Sequence, residues 1–389
     1  MKNLFKFLSI LVIAQYANAQ DRVITTGVPF LLIAADARSA GMADMGVATS
    51  ADAYSQQFNP SKYAFSKQKQ GFSTSYTPYL TSIANDISLG QITYYNRFND
   101  RSAFAGGLRY FGFGEIQLAD DSGTLGSTVN PNEFALEGSY SLKLSPNFAM
   151  GIGAKYIRSN LKIPTNIGDA SAAKSFAVDV SGFYQSEEEV YDNFNGRWRA
   201  GFNFQNLGPK ISYDQDLERA SSFLPSNLRL GGSFDFILDD YNKVSLIGET
   251  TKLLVPTPQN SIDLNNNGFI DGDESQANAD LYNKIDWTDG IFKSFGDAPD
   301  GFSEELKEFT WALGAEYWYQ DSFALRTGYF NESVEKGARK YLTLGAGFKY
   351  NIVKIDVSYL FSASKVRNPL ENTLRFSLSF NFGDEYDDN

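Results

Sequence analysis

Residues 373–382 read TLRFSLSFNF. Leu374, Phe376, Leu378, Phe380 and Phe382 fill alternate positions, while Thr373, Arg375, Ser377, Ser379 and Asn381 fill the others. Side chains of a strand point to opposite faces in turn, so this segment is a strand with one apolar and one polar face. At 341–350, Leu342, Leu344, Ala346, Phe348 and Tyr350 oppose Thr343, Gly345, Gly347 and Lys349. Near 198–205, Trp198, Ala200, Phe202 and Phe204 oppose Arg199, Gly201, Asn203 and Gln205.

Working outward, the pattern recurs from residue 69 onward in fourteen segments. They are 69–79, 88–98, 102–115, 133–144, 147–160, 174–186, 196–207, 226–236, 243–253, 308–319, 322–332, 339–350, 352–363 and 371–382. Their length suits tilted membrane strands of roughly 9–11 residues with some extension beyond the bilayer. A soluble sandwich alternates as well, so alternation alone decides nothing. Connection length does. If the first strand rises from the periplasm, the periplasmic connections are Asn99–Arg101, Ser145–Asn147, 187–195, 237–242, Gln320–Asp321 and Asn351, most of them very short. The opposite set holds 116–132, 161–173, 208–225 and the long excursion 254–307. Short and long connections segregate by parity in outer-membrane barrels, and nothing requires this of a sandwich. The expected fold is all-β, a 14-stranded antiparallel transmembrane β-barrel spanning 69–382, with 383–389 as an acidic periplasmic tail. Arg199, Arg229, Asp235, Arg326, Asp356 and Arg375 fall on its polar face. Such charges belong in a wet or plugged lumen, because arginine costs about 2–4 kcal/mol at the lipid midplane.

Composition agrees. The chain holds 32 Phe, 22 Tyr and 4 Trp, and its 33 Gly suit close-packed strands and turns. Lys2 and Lys6 precede the apolar run Phe7 to Ala14, and Ala17-Asn18-Ala19 is an A-x-A site. Residues 1–19 are therefore expected to be a signal peptide, too short to span a bilayer as a helix. There is no Cys, hence no disulfide or thiolate chemistry, and no His. Without imidazole, the usual hydrolase triads and zinc sites lose their main component. A net charge of −12 argues against a nucleic-acid partner, since phosphate contacts call for a basic patch.

Between the signal and the strands lies an N-terminal segment, 20–68. Its core, 38–65, reads RSAGMADMGVATSADAYSQQFNPSKYAF and has no strand alternation. A barrel lined by small and polar residues needs filling, and this stretch is the expected plug. Asn59, Pro60, Lys62 and Tyr63 are its candidate anchors. A fourteen-stranded barrel with an N-terminal plug carrying Asn59-Pro60 resembles the FadL family of outer-membrane proteins. More narrowly, residues 24–65, ITTGVPFLLIAADARSAGMADMGVATSADAYSQQFNPSKYAF, are similar to the front of the PorV family, also called LptO, of the type IX secretion system. Here Ala40-Gly41-Met42-Ala43 stands where a Gly-Gly-Met-Gly-like run is expected, and Asn-Pro-Ser stands for Asn-Pro-Ala.

The resemblance implies a FadL-like barrel in the cell outer membrane that is not itself the conduit. It implies a partner in the translocon barrel SprA (Sov), from which cargo proteins are received by their C-terminal sorting domain. It also implies delivery to PorU and the attachment complex. A FadL-like transporter of hydrophobic small molecules is the alternative, although the inward set is mostly Gly, Ser, Thr and charge. A lipid A-modifying enzyme, suggested by the name LptO, shows no convergent nucleophile and base, so no catalytic or cofactor-binding residue is assigned.

The sharpest local motif is DLNNNGFIDGDE, residues 263–274. It meets the twelve-position EF-hand template: Asp263, Asn265 and Asn267 at positions 1, 3 and 5, Gly268 at 6, the Phe269 carbonyl at 7, Asp271 at 9 and Glu274 at 12. The motif predicts a structural calcium in the extracellular loop, against the competing reading of a solvated acidic surface. Pro256 and Pro258 forbid a regular incoming helix, whereas 275–285 suits an outgoing one. Gly151-x-Gly153 and Gly345-x-Gly347 lie mid-strand and read as inward clearance rather than phosphate loops. Glu187-Glu188-Glu189 reads as a solvated turn. Tyr213, Phe223, Leu224, Ile291, Phe292 and Phe295 lie in outer loops, where partner contact and packing beneath the loops are equally expected.

Overall fold

The computed structural model describes residues 22–81, 84, 86–119, 124–161, 172–213, 221–364 and 368–386. The expected signal peptide therefore lies outside the described residues. The alternating segments form fourteen antiparallel strands of one closed barrel. They are β1 (Gln68–Pro78), β2 (Ser88–Arg97), β3 (Ser102–Gly112), β4 (Asn132–Ser145), β5 (Phe148–Asn160), β6 (Ala173–Gln185) and β7 (Asn195–Leu207). The second half comprises β8 (Asn227–Ile237), β9 (Asn242–Leu253), β10 (Phe309–Tyr319), β11 (Phe323–Asn331), β12 (Lys340–Tyr350), β13 (Val353–Ser362) and β14 (Leu374–Glu385). Each pairs with its neighbours in sequence, and β1 closes on β14 with Tyr76 opposite Phe376.

Burial is inverted relative to a water-soluble fold. In β14 Arg375, Ser377 and Ser379 are buried while Leu374, Phe376 and Phe382 are exposed. Leu325, Leu344, Ile152 and Phe176 likewise stand on the outside, and Arg199, Asp235, Arg326 and Asp356 are buried. An apolar exterior around a charged interior is stable only when the exterior meets lipid. Closure also removes every unpaired strand edge, which hydrocarbon would not tolerate.

The short turns fall at the end expected for the periplasm. Gln320 and Asp321 both have positive φ, as a two-residue hairpin matching strand twist requires. Asn99 Oδ1 accepts from the backbone N–H of Arg101 and Ser102, and Asp239 Oδ1 does the same for Tyr241 and Asn242. These side chains replace the missing ladder partners, so Asn and Asp recur there. In the Glu-rich turn, Glu189–Val190 forms a two-residue strand against Asn195 and Gly196.

The opposite end carries two small hairpins, Ile116–Ala119 with Leu125–Val129 and Ile211–Ser212 with Ser221–Ser222. It also carries three helices, Gly272–Asn283, Trp287–Lys293 and Phe302–Lys307. Boundaries shift by up to three residues from expectation, the last strand's at both ends. β14 continues past 382 to Glu385, because a bulge between Gln68 and Gln70 and a positive φ at Gly383 keep the tail paired. The part of the tail at 387–389 lies outside the described residues.

Candidate functional site

The plug is built from pieces too short to be stable alone, and the barrel wall holds each one. Pro60 opens the 3-10 helix Pro60–Phe65, and the residue before a proline is driven to extended backbone, as Asn59 shows with φ −163°. That geometry aims the Asn59 side chain both ways. Its Nδ2 donates to the Val47 carbonyl (2.9 Å) in the plug and to the Gly182 carbonyl (3.0 Å) in the wall. Its Oδ1 accepts from the Ser61 backbone N–H at 3.1 Å and from the Ser61 hydroxyl. Lys62 Nζ donates to the Gly46 carbonyl and to Thr49 Oγ1, both at 2.9 Å. Tyr63 accepts from the Gln56 N–H at 2.8 Å and stacks on Tyr95 of β2 with ring centroids 4.8 Å apart. The four anchors expected from sequence thus stand together in the plug, all buried.

Charge pairs tie plug to wall. Arg38 binds Glu316 at 2.8 Å and Asp52 at 2.6 Å, and Glu316 also holds Arg326, which reaches Asp356 at 2.8 Å. Asp44 takes Arg375 at 2.9 Å and the Tyr341 hydroxyl at 2.7 Å. Glu249, paired with Arg229 at 2.8 Å, accepts from the backbone N–H of Gly46 and Val47. In a water-poor lumen each charge needs its partner, and removing one side of such a pair costs about 3–5 kcal/mol. The wall partners of Arg38 and Asp44 lie hundreds of residues away, so no local window of sequence points to either plug residue. Inward parity at Glu249 and Glu316 was the signal that could have found the wall side.

Inward glycines provide the clearance. A Cβ at Gly151 would stand 2.9 Å from the Ser61 nitrogen, and one at Gly345 would stand 3.0 Å from Gly41 Cα. Gly347 instead makes room for the Arg326–Asp356 pair, and the nearest atom to Gly153 is Asp179 Cβ at 3.4 Å. Two of the four glycines therefore serve the plug and two face the wall's own ion pairs.

Among the described residues, space remains on either side of the plug. Below it a vestibule of about 900 Å³ is ringed by the short-turn end, including Glu188, Asp239, Lys243 and Lys354. Above it lies a cavity of about 550 Å³, lined by Ile24, Leu32, Met45, Trp311, Phe330 and Tyr341 among others. The first described residues roof this cavity: Arg22 binds Asp300 at 2.6 Å and Glu304 at 3.1 Å. Lys252 sits between Glu305 (2.6 Å) and Glu308 (2.8 Å), and Lys336 between Glu304 (2.6 Å) and Glu308 (3.0 Å). Burial alone would raise the Glu304 and Glu308 carboxyls. The bond from Lys336 to Glu304, and those from Lys252 and Thr257 to Glu308, outweigh it and hold both below the usual range. This clasp fastens helix Phe302–Lys307 over the cavity.

The calcium motif folds as a loop with an outgoing helix, Gly272–Asn283, and no incoming one. Asp271 caps that helix and Glu274 completes a capping box. Gly268 takes the positive φ that the sixth position of the template requires. Asp263 accepts from the backbone N–H of Gly268 (2.7 Å) and Asn267 (3.2 Å), which lowers its pKa, and Asn265 and Asn267 cap the next turns. Glu274 Oε1 is spent on the N–H groups of Leu264 and Asn265. Among the described residues no three acidic side chains converge as a metal cluster. Phe269 is exposed.

The six apolar loop residues divide. Phe223 and Leu224 are buried beneath their own loops, Phe223 against Tyr282 at 5.6 Å, and Tyr213 bonds Ser159 while packing on the upper core. All three thus make packing contacts within the chain. Ile291 is half-buried, while Phe292 and Phe295 remain exposed.

A family model described as type IX secretion system protein PorV matches residues 16–260. Among solved structures, the Pseudomonas putida toluene transporter TodX aligns with TM-score 0.50 at 10% identity, covering 90% of this chain and 99% of that one. A Pseudomonas aeruginosa FadL homologue aligns with TM-score 0.45 at 14% identity, covering 90% and 98%. At such identity the first likeness speaks for the fold alone. No curated protein matches the chain.

Proposed function

The chain belongs to the PorV family of the type IX secretion system, and from that premise we propose that it binds the C-terminal sorting domain of cargo at the SprA translocon and shuttles it to the PorU attachment complex. The observation that carries this reading is the division between a filled lumen and an elaborated outer face. The plug is bonded to opposite walls, and the barrel ladders run without a gap between β2, β3 and β4. Activity is thereby directed to the helical cap at 254–307, where Phe292 and Phe295 stay exposed. A cargo contact needs such anchors on a rigid support, and the clasp of Lys252, Lys336 and Arg22 supplies the rigidity.

The test is genetic. Deleting the gene should abolish surface attachment only of cargo that carries the sorting domain. Phe292→Asp with Phe295→Asp should reproduce that loss in a barrel that still migrates as folded. Normal attachment in both strains would overturn the proposal.

The upper cavity favours a second reading, a transporter of small hydrophobic molecules, because its lining includes Ile24, Leu32, Met45 and Trp311. That reading predicts impaired uptake of an apolar nutrient with attachment intact. We also propose calcium for loop 263–274, where Asp263, Asn265, Asn267, the Phe269 carbonyl, Asp271 and Glu274 would surround the ion once Glu274 turns from its backbone donors. The ion's task is to stiffen the cap.

A further inference from the structure

The lipid-facing side of β4, β5 and β6 carries a feature that secretion does not explain. Arg158 and Lys174 stand directly opposite each other across β5 and β6, on the outward parity and near the long-loop end. Like charges in direct cross-strand register repel. Neither side chain has a hydrogen-bonding or ionic partner among the described residues. At two other places on the outer rim a cation is matched: Arg339 binds Glu332 at 2.8 Å and Lys307 binds Glu335 at 2.7 Å. No acidic side chain occupies an outward position of β4, β5 or β6. Two unopposed cations in a chain of net charge −12 mark this spot as locally inverted.

The surface beneath is ordered by depth. One step toward the midplane, Tyr156 packs on Phe176 at 5.3 Å and on Phe134 at 6.1 Å, an aromatic belt of the kind found at headgroup level. Below the belt Ile152 and Val178 are exposed to hydrocarbon. Cations, aromatics and aliphatics thus follow one another along the wall as phosphate, glycosidic backbone and acyl chains do in an anionic glycolipid.

We propose that Arg158 and Lys174 form a docking site for the phosphate of an outer-leaflet phosphoglycolipid, with the sugar on Tyr156 and Phe176 and the chains along Ile152 and Val178. The phosphate relieves the cross-strand repulsion and fixes this face of the barrel against the leaflet. The probe is bisphosphorylated lipid A, titrated into the detergent-solubilised full chain and followed by native mass spectrometry, with dephosphorylated lipid A as the matched control. Arg158→Gln combined with Lys174→Gln should weaken binding of the phosphorylated form roughly thirty-fold, at ~1 kcal/mol per cationic residue. Lys340→Gln, on the far wall, should leave it unchanged. Heat-dependent gel mobility reports folding of each variant, and both substituted side chains project from the wall, so the barrel should persist. Equal affinity of the double variant and the unaltered chain would overturn the proposal. So would equal binding of both lipids, or full competition by millimolar inorganic phosphate. Loss of a co-purifying protein with lipid affinity intact would make the face a protein interface and equally defeat it.

Discussion

Alanine at Gly201 is the most direct probe of how the plug is seated. Its Cβ would lie 2.3 Å from the Val47 carbonyl oxygen and 2.9 Å from Asn59 Nδ2. Favourable carbon contacts lie near ~3.5 Å, so the plug backbone must retreat by about 1 Å. That retreat strains the 2.9 Å bond from Asn59 to Val47. Overpacking costs about 1–3 kcal/mol, and the weakened buried hydrogen bond adds about 0.5–1.5 kcal/mol. A total near ~2–4 kcal/mol raises the population with a displaced plug by roughly thirty-fold to a thousand-fold. Gly138→Ala is the control, because it faces lipid with nothing within 4 Å of a new Cβ. Single-channel recording in planar bilayers should show frequent openings for Gly201→Ala and silence for Gly138→Ala. The thermal midpoint should fall only in the former. Matching midpoints and matching silence in the two variants would refute the claim that plug and wall meet backbone to backbone there.

Removing residues 38–65 altogether should open a steady conductance that the intact chain lacks, and equal currents would contradict the plug. Acid should release the cap. Carboxyls held below their ordinary 4.5 contribute stability that is complete above that pH and fades as pH falls through the lowered values. Lys336, raised above 10.5 by Glu304 and Glu308 against the effect of burial, stays charged throughout that range. Protection of the amides in 302–308, measured relative to intrinsic exchange at each pH, should therefore fall as pH drops below 4.5 and these carboxyls are protonated, while the plug stays protected. Unchanged exchange would dismiss the clasp. Calcium should protect 254–307 from proteolysis, with Glu274→Gln abolishing the effect. Identical cleavage with and without chelator would remove the ion from the loop.

Strand number, inward and outward faces and the plug's place were all legible in the chain alone. Each rests on a local rule: period-two alternation assigns a face, turn length assigns an end, and Asn59-Pro60 shapes its own turn. Gly151 and Gly345 could be read as clearance for the same reason, since a missing side chain on the inward parity has one use. The tertiary structure decided what meets what. Arg38 finds Glu316 and Asp44 finds Arg375 only once the barrel closes. No window of sequence carries a pairing set by curvature and register around the whole wall. Closure likewise brings Arg22 beneath helix Phe302–Lys307 and buries Phe223 and Leu224. An apolar loop residue looks alike whether it awaits a partner or lies under its own helix, and only folding separates the two. The Arg158–Lys174 juxtaposition belongs with these, because parity places each cation on the lipid face but register alone sets them side by side.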